Sequence, residues 1–136
     1  MKIIVDTNIL IDFSRKIKIK KEDILWPKLV NFAQRNGHQL VIPTIALFEL
    51  FAGDEMNRQE ICEKMENILG DVVILDLTKE IAQKAAGLFR KYKANIGPID
   101  YFLAATAFIL EGKLATLNPR HFTIFKYLPI FDLAKI

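Results

Sequence analysis

Short apolar runs of strand character alternate with amphipathic stretches of helical period along this chain, and few folds accommodate that rhythm. The runs are Lys2 to Val5, Leu40 to Ile42, Val72 to Leu75, Lys113 to Leu117 and Pro129 to Leu133. Strands separated by helices pair in parallel, because the crossover brings the chain back to the end of the sheet it started from. The expectation is an α/β fold: a three-layer α/β/α sandwich around a central, mostly parallel sheet of about five strands. Residues 1–136 read as a single domain, since the length suits one core and no repeat or linker interrupts it.

Local signals place the helices between those runs. A short one covers Ile9 to Phe13, and Asp23 caps a second with Pro27 in its first turn and Gly37 at its end. Thr44 opens a helix that stops at Gly53, and Gln59 to Leu69 repeats Ile61, Met65, Ile68 and Leu69 at helical spacing. Thr78 caps a longer helix with Ile81, Ala85, Leu88, Phe89 and Tyr92 on one face. Gly97 and Pro98 break that pattern before a last helix from about Ile99 to Leu110, closed by Gly112.

In α/β sheets ligands bind beyond the carboxyl ends of the strands, so polar residues there are tested as a set. Asp6 directly follows the first strand in IIVDTN, where it is either a helix N-cap or a ligand. Glu49 lies in the apolar helix TIALFELFAG, where an ionised carboxylate needs a cation or strong donors unless it faces solvent. Asp100 opens the helix of GPIDYFLAATAFIL, where the helix dipole favours an acid whether or not it binds anything. Thr116 and Asn118 end the LATL strand and compete with a plain turn.

Together these side chains say more than any one of them. Three clustered carboxylates repel one another, and a cation relieves that near neutral pH. Oxygen ligands select Mg²⁺ or Mn²⁺; zinc calls for His or Cys, of which the chain has only His38, His121 and Cys62. Such a site suits phosphoryl chemistry, in which water is the nucleophile. No Ser/His/Asp arrangement, GxGxxG fingerprint or Walker loop competes with it.

Other bulk properties bound the reading without deciding it. No apolar run approaches the ~20 residues of a membrane span, and Asp6 comes too early for a secretory signal, so a cytoplasmic protein with no membrane partner is expected. The lone Cys62 excludes an internal disulfide and reads as a core residue. A net charge of +3 and a pI near 9.0 suit an anionic partner but are common in ordinary domains.

The fragments IIVDTNILID, PTIALFELFAG and IDYFLAATAFILEGKLATLNPRHF, in this order and nearly end to end, resemble the PIN domain. The likeness is greatest to the VapC toxin ribonucleases of bacterial and archaeal toxin-antitoxin pairs. The resemblance implies a metal-dependent endoribonuclease with Asp6, Glu49 and Asp100 as metal-binding acids. It puts Asn118 where many relatives carry a fourth acid, Thr116 at a hydroxyl position supporting the metal or its water, and Asn8 at the polar position two after the first acid. An amide at 118 brings no charge, so a single metal is expected before RNA binds. The family also implies a homodimer and a cognate antitoxin whose tail covers the site. Large apolar residues such as Trp26, Phe48, Phe51, Phe102 and Phe108 are expected chiefly in the core.

Candidate RNA contacts are Arg15, Lys16, Lys18 and Lys20 in the basic run RKIKIKK, and Arg120 after Asn118, each weighed against a solvated surface. His121 beside Arg120 meets a scissile phosphate or simply opens a short helix. Two competing readings within the family are a housekeeping RNA-processing nuclease and a non-catalytic scaffold that binds RNA or protein. A receiver-type phosphate-handling domain would carry an acidic pair at its first strand, where this chain has Asp6 alone.

Overall fold

The computed structural model describes residues 1–17 and 24–136; the expectations for Lys18, Lys20 and the Asp23 cap lie outside the described residues. Strands β1 (Lys2–Val5), β2 (Gln39–Pro43), β3 (Val73–Leu75) and β4 (Lys113–Ala115) form one parallel sheet in the order β3-β2-β1-β4. Around it lie α1 (Thr7–Lys16), α2 (Leu25–Arg35), α3 (Thr44–Phe51), α4 (Gln59–Ile68), α5 (Lys79–Tyr92) and α6 (Pro98–Leu110). No described helix is long and apolar enough to cross a membrane.

Consecutive residues Ile3, Ile4 and Val5 on β1 and Leu40, Val41 and Ile42 on β2 are all buried. Neighbouring side chains on a strand point to opposite faces, so both faces of the sheet are covered and the sandwich has three layers. Each such aliphatic side chain contributes about 1.5–3 kcal/mol by leaving water. The parallel register sets Ile4 between Val41 and Leu114, which places β1 at the centre.

The expected fifth strand is reduced to one bridge. Leu114 N donates to Pro129 O (2.9 Å) and Phe131 N donates to Leu114 O (2.8 Å), pairing Leu114 with Ile130 alone. Asp132 then accepts from Ala134 N through its side chain and turns the backbone out of line.

α3 opens at Thr44 as expected, with Pro43 as its N-cap, and the Thr44 hydroxyl accepts from Leu77 N at 3.3 Å. Three other details depart from expectation. The left-handed residue ending α6 is Glu111 (φ 52°), a role expected of Gly112. Gly112 is needed for space: a Cβ there would lie 2.5 Å from Ile4 Cδ1 and 2.7 Å from Lys2 O. Trp26 is buried and Phe51, Phe102 and Phe108 pack at the edge of the core, but Phe48 is 71% exposed. Cys62 is half-buried rather than fully enclosed. Thr78 caps α5 as expected, accepting from Ile81 N at 3.1 Å, and Gly37 follows α2 with φ 65°.

The strand order has one reversal. From β1 the chain adds β2 and then β3 outward on one side, and returns to add β4 on the other. The carboxyl ends of β1 and β4 therefore flank the crevice where loops of this fold class diverge.

Candidate metal centre at the switch point

Asp6 leaves β1 at that crevice, and its backbone N–H donates to Ala115 O at 2.9 Å, extending the β1–β4 ladder by one bond. It occupies the N-cap position of α1, yet its side chain makes no capping bond. The carboxylate turns instead to β4, where Thr116 Oγ1 donates to its Oδ2 at 2.7 Å.

That donation is forced. The Thr116 hydroxyl also accepts from Asn8 Nδ2 (3.2 Å) and from the backbone N–H of Asn118 (3.0 Å), which occupies both lone pairs and leaves its proton for Asp6. Asn8 in turn accepts from Leu117 N through Oδ1 at 3.2 Å. Asn8 thus ties the first turn of α1 to the loop after β4, and Thr116 hands that order on to the acid.

Glu49 reaches the same region from α3. Thr7 Oγ1 donates toward its Oε1 at 3.0 Å and lies 3.3 Å from Ala46 O, sharing one proton between them. Asp100 comes from the first turn of α6, whose entry Gly97 and Pro98 pre-set, and its Oδ2 lies 3.4 Å from His121 Nδ1.

Electrostatics tie the acids together. The Asp6 carboxyl is pushed up to about 6, first by burial and further by the negative charges of Asp100 and Glu49, against the lowering effect of Thr116 and of the nearby Asn8 backbone N–H. Burial also pushes Asp100 above the ordinary carboxylate range, and His121 offsets part of that. Asp6 is thus a buried acid, 6% exposed, that feels both other acids.

Among the described residues no three His, Cys, Asp or Glu side chains are gathered tightly enough to ligate one ion together. The donor set nevertheless fits a hard divalent ion: all oxygen, with a desolvated acid at its centre and neighbours of like charge. Mg²⁺ in particular takes one or two carboxylates directly and keeps several waters, so it needs no tight cage.

The structure therefore brings together Asp6, Asn8, Thr116 and the Asn118 backbone by hydrogen bonds, and Glu49 and Asp100 by their field on Asp6. The Asn118 side chain caps nothing. The basic residues are dispersed. Arg15 pairs with Glu55 at 3.1 Å and Lys16 with Asp12 at 2.8 Å, while Arg120 is exposed on the turn after β4. Thr7 and His121 were not singled out from sequence as partners of Glu49 and Asp100. Thr7 carries a faint signal as a polar residue wedged between Asp6 and Asn8, and His121 carries only its closeness to Asn118.

A family model described as "PIN domain" matches residues 3–126. The chain is 31% identical over 125 residues to Ribonuclease VapC19 of Mycobacterium tuberculosis, covering 90% of this chain and 93% of that one. It is 32% identical over 130 residues to Ribonuclease VapC10 of the same organism, covering 93% and 90% respectively. In three dimensions it resembles the crystal structure of VapBC2 from Rickettsia felis bound to a DNA fragment from their promoter. That match has a TM-score of 0.80 at 20% identity and covers 96% of this chain and 98% of that one.

Proposed function

Because this chain belongs to the PIN-domain family, within its VapC ribonuclease branch, we propose that it is a metal-dependent endoribonuclease and the toxin of a VapBC-type pair. The observation that carries the chemistry is the burial of Asp6 at the sheet crevice, with Thr116 holding one of its oxygens and with the charges of Asp100 and Glu49 adding to the upward shift of its carboxyl. Asp6, Asp100 and Glu49 would hold Mg²⁺ or Mn²⁺, with Asn118 as a neutral oxygen donor beside them. An ion held by these residues would supply polarisation of the phosphodiester and a lowered pKa of bound water. Thr116 keeps Asp6 Oδ2 occupied and Asn8 keeps Thr116 in place, so the acid is oriented before substrate arrives. Glu49 is steadied by Thr7 in the same way. No side-chain nucleophile takes part.

RNA is the substrate, and Arg120 stands nearest the site in sequence as a phosphate contact. Arg15 and Lys16 must exchange their carboxylate partners for phosphates to assist. Structural neighbours described as VapBC support an antitoxin partner, and a homodimer working in the cytoplasm completes the proposal.

The test is cleavage of a mixed structured-RNA pool by the purified chain with Mg²⁺ or Mn²⁺, beside EDTA and an Asp6→Asn variant. Cleavage that needs the metal and disappears in Asp6→Asn is the expected result. Cleavage that survives both EDTA and the substitution would sink the proposal.

A further inference from the structure

Two acids of the site have one oxygen held by a hydroxyl from another part of the chain, and the third has an imidazole beside it. Thr116 Oγ1 holds Asp6 Oδ2 at 2.7 Å, Thr7 Oγ1 holds Glu49 Oε1 at 3.0 Å, and His121 Nδ1 approaches Asp100 Oδ2 at 3.4 Å. The first two donors are buried hydroxyls, while the third is an imidazole on an exposed turn. An imidazole in that place can serve the site or merely decorate the surface.

Resting on the nuclease reading above, we propose that His121 is the positioning residue for Asp100: it holds Oδ2 and presents the other oxygen to the divalent cation. The argument begins with the backbone beneath it. Phe122, next in sequence, is 1% exposed and packs against Phe125, with ring centroids 6.4 Å apart. His121 N donates to Asn118 O at 3.2 Å, and Thr123 Oγ1 donates to Arg120 O at 3.0 Å. The turn of residues 119–122 is therefore pinned by a core aromatic and by its own hydrogen bonds, and the imidazole is offered from a fixed place.

Asp100 gains most from such a holder. It lies in the first turn of α6 with its side chain 20% exposed, where water competes for its oxygens and its rotamers are less restricted than those of Asp6. Ordering it in advance spares the ion that entropic cost. The segment that leads from β4 into this turn begins at Thr116, the holder of Asp6. One short segment thus carries the holders of two acids and sets how far apart they stand. Nδ1–H donates in the neutral tautomer as well, so the role does not depend on a charged ring.

The competing account is a solvent-exposed pair of little consequence to the site. Mn²⁺ affinity, measured by calorimetry on the full chain without RNA, separates the two. His121→Ala is expected to weaken Mn²⁺ binding about 10-fold or more, with the thermal midpoint unchanged. His121→Asn, whose Nδ2 replaces Nδ1, is expected to recover most of that loss. In cleavage assays kcat should fall in the Ala variant while KM for RNA stays put.

His121→Ala binding Mn²⁺ like the parent would overturn the inference, as would His121→Asn no better than Ala, or a change confined to KM. Those results leave the nuclease reading standing. Failure of the parent chain itself to bind Mn²⁺ through Asp6, checked with Asp6→Asn, would remove that reading and this inference with it.

Discussion

Asp6 opposes folding when it is charged and no cation is present. Its folded carboxyl is raised to about 6, against about 3.9 for a free Asp, so between those values the folded state keeps a proton that the unfolded state has released. The stabilisation from that proton is fully present below pH ~4 and is lost as pH rises through about 6. Asp6→Asn removes the effect, since the amide oxygen still accepts from Thr116 without bearing charge. In EDTA the variant should therefore gain on the parent between pH 4 and 7, by on the order of 2–3 kcal/mol in urea denaturation. Parallel stability curves would contradict the burial of a charged Asp6, and saturating Mn²⁺ should close the gap. The acids at 6, 49 and 100 were legible in sequence because a carboxylate beside apolar neighbours demands an explanation. Thr7 and His121 were not, since a hydroxyl or imidazole is unremarkable until the approach of α1 to α3, or of the turn after β4 to α6, shows which acid it meets.

Among the elements, β1 was legible to the residue because four consecutive positions combine strand character with an abrupt polar stop at Asp6. The run 129–133 looked similar and fails as a strand: Leu114 uses both its backbone groups on residues 129 and 131, and Asp132 then closes a turn. Periodicity reports what a segment can do, and the partner edge decides how much of it pairs. The end of α6 teaches the same lesson, since Gly112 reads as a helix stop but serves close packing. Gly112→Ala must push against Lys2 O, a backbone atom that cannot swing aside, and should destabilise the fold by about 1–3 kcal/mol. Gly70→Ala is the control: its added Cβ meets nothing within 4 Å, and thermal unfolding should show it near neutral. Equal effects at the two positions would argue against the tight approach of α6's end to β1.

At the scale of the molecule, the layer order was legible as a class, while the reversal between β1 and β4, which accounts for where the acids meet, shows only in the strand order. The field of that site should admit one divalent ion tightly, because Asn118 contributes an oxygen without charge. Calorimetry with Mn²⁺ should give one high-affinity site per chain, and two comparable sites would refute this. RNA binding by the inactive Asp6→Asn chain should weaken steeply with salt, with a log–log slope of about −0.7 for each phosphate neutralised. A flat response would mean that the net charge of +3 is not directed at RNA. The Asp6–Thr116 bond spans 110 positions of sequence. At about 5–20 residues per second, a ribosome needs on the order of ten seconds after making the first acid to add the residues that orient it. A half-made chain therefore carries no assembled cutting centre while it is still tethered to the machine whose RNA lies nearest.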